Sequence, residues 1–125
     1  MSWIEVGRID EIPDRGSIRL VVGDEPLLVF RSGERIACLA ERCPHENGRI
    51  ADTLADATTA VCPTHGFAFD VASGRCRSFR ALEARGYQAR VIDGQIAIRV
   101  GFWKARRFRR EQEARREDRR SDRAQ

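Results

Sequence analysis

Two short segments of this sequence, Cys-Pro-His at residues 43–45 and Cys-Pro-Thr-His at residues 62–65, decide what kind of fold can surround them. The chain of 125 residues contains two His and four Cys, and each His follows a Cys-Pro pair within three residues of the Cys. A random distribution would rarely produce this pairing. Because Cys and His are common ligands of transition metals, the two segments together predict one metal site.

The way in which the ligands are shared between the two segments separates zinc from iron–sulfur chemistry. Zinc is held tetrahedrally, and a zinc finger usually takes its Cys pair from one segment and its His pair from another. In a two-iron two-sulfur cluster of mixed ligation, two His replace two Cys on one iron. Here each segment supplies one Cys and one His, so each can reach both irons. The pattern favours the cluster, and a zinc-stabilised interaction module is the less favoured alternative.

The sequence outside these segments has the pattern of β-structure up to residue 100. Short apolar runs rich in β-branched residues are separated by turns that contain Gly, Asp or Ser. The clearest hairpin signal is Asp93-Gly94, which lies between two runs of alternating apolar and polar residues. We therefore predict an all-β domain over residues 1–100. The earlier predicted strands are residues 18–22, 27–30 and 36–39.

Residues 41–77 differ from the sequence on either side, because they are richer in Cys, His, Pro and Gly and poorer in aliphatic side chains. We interpret them as an inserted unit that carries the metal site. Within this unit, residues 51–59 fit either a turn of helix or a loop. We assign no metal role to Cys38 and Cys76, since free Cys is among the most buried residue types.

Positive charge is concentrated in the last 25 residues. Residues 1–100 carry 13 Arg and 14 acidic residues, whereas residues 101–125 carry ten basic and five acidic residues. We expect this charged tail to be helical or disordered, to lie outside any core and to be dispensable for the fold. Its charge suits an acidic docking partner, with Phe102, Trp103 and Phe108 as contacts. A basic balance of this kind does not by itself indicate nucleic acid.

Export and membrane insertion are not expected. The longest run without a charged residue, residues 57–69, is 13 residues long, whereas a membrane-spanning helix needs about 20. The first ten residues include Glu5 and Asp10 and have no apolar stretch behind basic residues. We therefore expect a cytoplasmic protein.

The two metal-binding segments resemble those of the Rieske ferredoxins, in which Cys-X-His is followed by Cys-X-X-His. The similarity extends to Gly48 and to residues 66–67, 69–70 and 73–74, and it covers residues 1–100. It implies the Rieske fold, an antiparallel β-sandwich base domain with a small cluster-binding subdomain inserted at about residues 41–77.

By the same resemblance, Cys43 and Cys62 hold the inner iron of a [2Fe-2S] cluster, and His45 and His65 hold the outer, solvent-facing iron. The implied function is that of a soluble one-electron carrier from a flavin-containing NAD(P)H reductase to a terminal ring-hydroxylating oxygenase. A small subunit of a multi-subunit reductase, such as a nitrite-reductase-like flavoenzyme, is the alternative. The chain is not expected to be an enzyme, because an oxygen-activating iron needs two further His and a carboxylate.

Four positions distinguish this sequence from other members of the family that it resembles. Rieske proteins of bc-type complexes carry two further Cys that form a disulfide, where this chain has Gly48 and Thr64. High-potential members carry Ser and Tyr hydroxyl donors two and four residues after the last His. Here those positions are Phe67 and Phe69, which cannot donate. The substitutions predict a potential near the low end of the Rieske range.

Overall fold

The computed structural model of the chain describes residues 1–45 and 48–124, which form nine β-strands and one long helix. The strands are β1 (Ser2–Arg8), β2 (Ser17–Val22), β3 (Glu25–Ser32), β4 (Arg35–Ala40), β5 (Thr59–Cys62), β6 (Phe67–Asp70), β7 (Gly86–Tyr87), β8 (Ala89–Ile92) and β9 (Gln95–Val100). The helix α1 covers Phe102–Ala124, and a short 3-10 turn, Ile9–Glu11, follows β1.

The strands pair into three antiparallel sheets, in the orders β1-β9-β8, β2-β3-β4-β7 and β5-β6. The three strands predicted before the metal-binding segments and the two predicted on either side of Asp93-Gly94 are confirmed. Asp93 and Gly94 both have positive φ, at 52° and 78°. Two successive left-handed residues give the turn whose twist matches that of a hairpin, so the predicted turn between β8 and β9 is also confirmed.

The central strand β3 is apolar on both faces, and each face belongs to a different core. Leu27 and Val29 lie in the first core, the base core, together with residues of β1 and β9. Leu28 and Phe30 point to the opposite side and lie in a second core, the ligand-side core, together with residues between Cys43 and Ala84. Successive side chains of a strand alternate between faces, so the four-stranded sheet forms the wall between the two cores.

The open alternative at residues 51–59 is decided by the structure. Residues 51–58 form turns and irregular chain, and Thr59 begins β5. The backbone N–H of Ala51 donates to the carbonyl of Val61 at 2.9 Å. This bond joins the segment after the first Cys-Pro-His to the strand before the second His. Within the described residues, no helix has both the length and the apolar character that crossing a membrane requires.

Helix α1 packs against β1 and β2, and the expectation that the charged tail lies outside any core is wrong. Ala105 and Phe108 are buried in the base core, and Phe108 is only 6% exposed. Two arginines fix the helix from either side: Arg109 donates to the carbonyl of Trp3 at 2.9 Å, and Arg107 pairs with Asp24 at 3.2 Å. The base core therefore continues past residue 100.

Replacing Phe108 by Ala should lower the free energy of unfolding by about 3–5 kcal/mol, because a large buried side chain would leave a cavity under α1. Trp103 is 73% exposed on the same helix, so its replacement by Ala should change stability by no more than about 0.5 kcal/mol. Urea denaturation of both variants measures the difference. Equal stability of the two would show that α1 does not contribute to the base core.

Candidate metal centre

The first metal-binding segment is the tip of a narrow loop with a paired neck. The N–H of Ile50 donates to the carbonyl of Glu41 at 2.7 Å, and the N–H of Cys43 donates to the carbonyl of Gly48 at 2.9 Å. Between these two bonds, Arg42 and Arg49 form an isolated antiparallel bridge. The neck holds Cys43 at the point where the paired part of the loop ends and its tip begins.

The second segment is the connection between β5 and β6. Cys62 ends β5 and is paired with Phe67 at the start of β6. The N–H of Gly66 donates to the carbonyl of Cys62 at 2.9 Å, and Gly66 has φ of 72°. A residue with a Cβ rarely adopts this left-handed conformation. Gly66 therefore allows the tight turn that carries His65.

The four predicted ligands converge at one place. The Sγ atoms of Cys43 and Cys62 and a ring nitrogen of His45 all lie within 4.8 Å of one another. Nδ1 of His45 contacts Sγ of Cys43, and Nε2 of His45 contacts Nδ1 of His65. The structure thus brings together, from loops 16 residues apart in sequence, all four side chains that the sequence singled out.

The thiols and the imidazoles occupy different depths. Cys43 is 3% exposed and Cys62 is fully buried, whereas His45 is half-buried and His65 is exposed. Burial raises the pKa of the Cys43 thiol to about 11, so without a metal this thiol stays protonated at neutral pH. Metal binding would therefore release its proton.

The donor set and the space around it fit an iron–sulfur cluster. Two thiols and two imidazoles are the mixed ligation of a Rieske-type [2Fe-2S] centre, in which the protein supplies four ligands to two irons. A Cβ placed on Gly48 would lie 2.8 Å from Sγ of Cys62 and 3.2 Å from Oγ1 of Thr64. The absence of a side chain at Gly48 therefore leaves room beside the thiols.

Two aromatic side chains border the site. Phe67 packs edge-on against the ring of His45, with centroids 4.5 Å apart at 78°. Phe69 is fully buried, and its backbone forms an isolated antiparallel β-bridge with that of Cys76. The free thiol of Cys76 also lies in the ligand-side core. The other free thiol, Cys38, lies in the base core. Of the two positions that lack hydroxyl donors, Phe67 is thus in contact with His45, and Phe69 belongs to the same core as Cys43 and Cys62.

One residue near the site was not found from the sequence. Glu41 lies two positions before Cys43 and is buried, with its carboxylate 2.8 Å from Nε of Arg19 on β2. In the sequence, Glu41 is followed by Arg42 in a segment that contains both polar and apolar residues, so no local pattern indicates that Glu41 is buried. The signal exists only in three dimensions, where β2 passes beside the neck of the ligand loop.

Comparison with known proteins agrees with this geometry. The family model of the Rieske [2Fe-2S] domain matches residues 2–97. The anthranilate 1,2-dioxygenase ferredoxin subunit of Burkholderia cepacia is 29% identical over 101 residues, which are 80% of this chain and 94% of that protein. Fold and site together define a small β-domain that binds an iron–sulfur cluster. The chain belongs to the Rieske [2Fe-2S] domain family.

Solved structures share the fold. The ferredoxin of carbazole 1,9a-dioxygenase from Nocardioides aromaticivorans has a TM-score of 0.72 at 20% identity, over 81% of this chain and all of that chain. A chain in the complex of reduced oxygenase and oxidized ferredoxin of carbazole 1,9a-dioxygenase has a TM-score of 0.68 at 26% identity, over 77% and 91%. A structure assigned as an NADH-dependent nitrite reductase small subunit from Mycobacterium tuberculosis has a TM-score of 0.65 at 19% identity, over 80% and 96%.

Replacing Gly48 by Ala should reduce the yield of cluster-loaded protein, because the added Cβ would lie 2.8 Å from Sγ of Cys62. Gly101 is a matched control, since no atom lies within 4 Å of an added Cβ there and its φ is not positive. Iron and sulfide content per chain, measured after purification, gives the result. Equal content in Gly48→Ala and Gly101→Ala would contradict the role of Gly48.

Proposed function

We propose that this protein is a one-electron carrier that receives an electron from a flavin-containing NAD(P)H reductase and delivers it to a terminal ring-hydroxylating oxygenase. The observation that carries the proposal is the difference in depth at the site: the thiols are buried, whereas His45 is half-buried and His65 is exposed. A [2Fe-2S] cluster, when bound, supplies reversible one-electron chemistry. With this orientation its histidine side would be accessible to a partner.

The ligand assignment is part of the proposal. Cys43 and Cys62 would hold the inner iron, and His45 and His65 would hold the outer iron. The unit that carries them, about residues 41–77, would be the cluster-binding subdomain, and the strands of residues 1–100 outside it would form the base. The chain contains two His, so none is left for an oxygen-activating iron. This agrees with a carrier that has no substrate site of its own.

The partners are inferred from the relatives. The relatives include the ferredoxin subunit of an anthranilate 1,2-dioxygenase and the ferredoxin component of a naphthalene 1,2-dioxygenase system. One matching structure is itself a complex of an oxygenase with a ferredoxin. The likeness to a nitrite reductase small subunit, at 19% identity, extends to the fold alone. These relations favour the oxygenase partner over the multi-subunit reductase.

An acidic docking partner for the charged tail also remains a proposal, in a modified form. Phe102 and Trp103 are exposed at the start of α1 and stack edge-on at 5.3 Å, so they stay available as contacts. Phe108 is not available as a contact, because it is buried in the base core.

We place the protein in the cytoplasm, where a reducing environment keeps thiols free, as the four Cys are in this structure.

The ligand assignment predicts the effect of four single replacements. His45→Ala and His65→Ala should each abolish the electron paramagnetic resonance signal of a reduced Rieske centre and lower the yield of folded protein, since cluster binding is coupled to folding. Cys38→Ser and Cys76→Ser should retain the signal. Loss of the cluster in Cys76→Ser together with its retention in His65→Ala would show that the assignment is wrong.

Neither Phe67 nor Phe69 can donate a hydrogen bond to a cluster sulfur. We therefore predict a midpoint potential on the order of −150 mV, at the low end for Rieske centres, which suits a carrier that accepts electrons from a flavin reductase. Voltammetry of the purified protein measures this midpoint potential.

The same protein should support oxygenase turnover when it is supplied with a separate flavin reductase, as a diffusible carrier does. A midpoint well above zero, or a requirement for one permanent complex with a reductase, would contradict the proposal.

A further inference from the structure

Glu41 is the one buried carboxylate among the side chains that the structure describes, at 7% exposure. Burying a charge is costly unless it is paired and hydrogen-bonded. Glu41 is buried two residues before Cys43, immediately after the end of β4, where the ligand loop begins. The contacts of Glu41 therefore have to compensate for the burial of its carboxylate.

The contacts of Glu41 join the base sheet to both sides of the ligand loop. Nε of Arg19, on β2, donates to Oε2 of Glu41 at 2.8 Å, and its Nη2 donates to Oε1 at 3.4 Å. Two parallel bonds of this kind fix the carboxylate in orientation as well as in position. Nε of Arg49, on the returning side of the loop, lies 4.0 Å from Oε1.

The backbone of Glu41 is held in the same way. Its N–H donates to the carbonyl of Pro26 on β3 at 3.0 Å, and its carbonyl accepts from the N–H of Ile50 at 2.7 Å. Side chain and main chain together connect β2, β3 and the two sides of the neck of the ligand loop. The loop tip, which carries Cys43 and His45, extends from this junction.

We propose that Glu41 is a positioning residue for the cluster, acting through Arg19 to hold the Cys43–His45 loop in register with the base sheet. The inference rests on the proposed function, because it takes Cys43 and His45 as ligands. A groove of about 460 Å³ opens beside the pair and is lined by Arg19, Glu41, Cys43, Gly48 and Arg49 among others. Loss of the pair would loosen the wall of this groove, of which Cys43 is itself a part.

A second carboxylate network on the same sheet provides a matched control. Glu25 begins β3, binds Arg85 at 3.0 Å and accepts a hydrogen bond from the hydroxyl of Tyr87 on β7. Its partners hold β3 to the β7 region and do not belong to the neck of the ligand loop. Glu25→Gln therefore removes an arginine-paired carboxylate whose side chain bonds to Arg85 and Tyr87, and it leaves the hydrogen bonds of Glu41 in place.

The test compares cluster retention with global stability in Glu41→Gln, Arg19→Met, their double variant and Glu25→Gln. Cluster retention is the rate at which visible absorbance bleaches in the presence of a chelator, and stability is the urea midpoint. Glu41→Gln and Arg19→Met should each bleach about tenfold faster than the unmodified protein, and the double variant should bleach no faster than either. Arg19→Lys should restore part of the retention, and Glu25→Gln should bleach at the unmodified rate even where its midpoint falls.

The outcomes separate this inference from the proposed function. Bleaching of Glu41→Gln at the unmodified rate, or additive effects in the double variant, would overturn the positioning role alone. Bleaching that follows the urea midpoint equally in Glu41→Gln and Glu25→Gln would also overturn it, since the role would then be merely structural. If Glu41→Gln fails to fold, Arg19→Met and Arg19→Lys decide the question. An unmodified protein without a Rieske signal would overturn both proposals.

Discussion

The structure depends on the burial of β3 from both sides. Leu27 and Val29 on one face and Leu28 and Phe30 on the other are all buried, so neither face of the four-stranded sheet can be left to solvent. The sheet formed by β1, β9 and β8 covers one face. The other is covered by the segments that carry the metal ligands. Since apolar burial is the dominant favourable term in folding, the ligand-bearing segments contribute to the fold as well as to the chemistry.

This constraint explains why the thiols are deep and the imidazoles shallow. Cys43 and Cys62 are members of the ligand-side core, next to Leu28, Phe30 and Leu39 of the sheet. Each His lies two or three residues after the Cys of its segment, where the chain has left the ligand-side core. Under the proposed ligand assignment, the iron held by Cys43 and Cys62 would lie in apolar packing, and the iron held by His45 and His65 would lie nearer to water. That asymmetry follows from where each segment leaves the core.

The sequence predicted the convergence of the four Cys and His side chains but not the packing of the tail, for a physical reason. The proposed ligands stand out in the sequence because each Cys and His pair is close together and the chemistry restricts the residue types. The strands are recognisable because alternation and turn residues are local as well. The packing of Phe108 depends on β1 and β2, which are distant in sequence, and one apolar residue among many charged ones gives no periodic signal. Glu41 was missed for the same reason, because its partner Arg19 lies 22 residues away.

The position of α1 restricts what its charge can do. Ala105 and Phe108 belong to the base core, whereas the proposed ligands Cys43 and Cys62 belong to the ligand-side core, and β3 and β4 lie between. At physiological ionic strength, charges further apart than about 8 Å are largely screened in solvent. If α1 has the proposed docking role, its arginines would act on the approach of a partner more than on the potential of the cluster. The family match ends at residue 97, so α1 follows the matched domain in sequence while it completes that domain's base core in the structure.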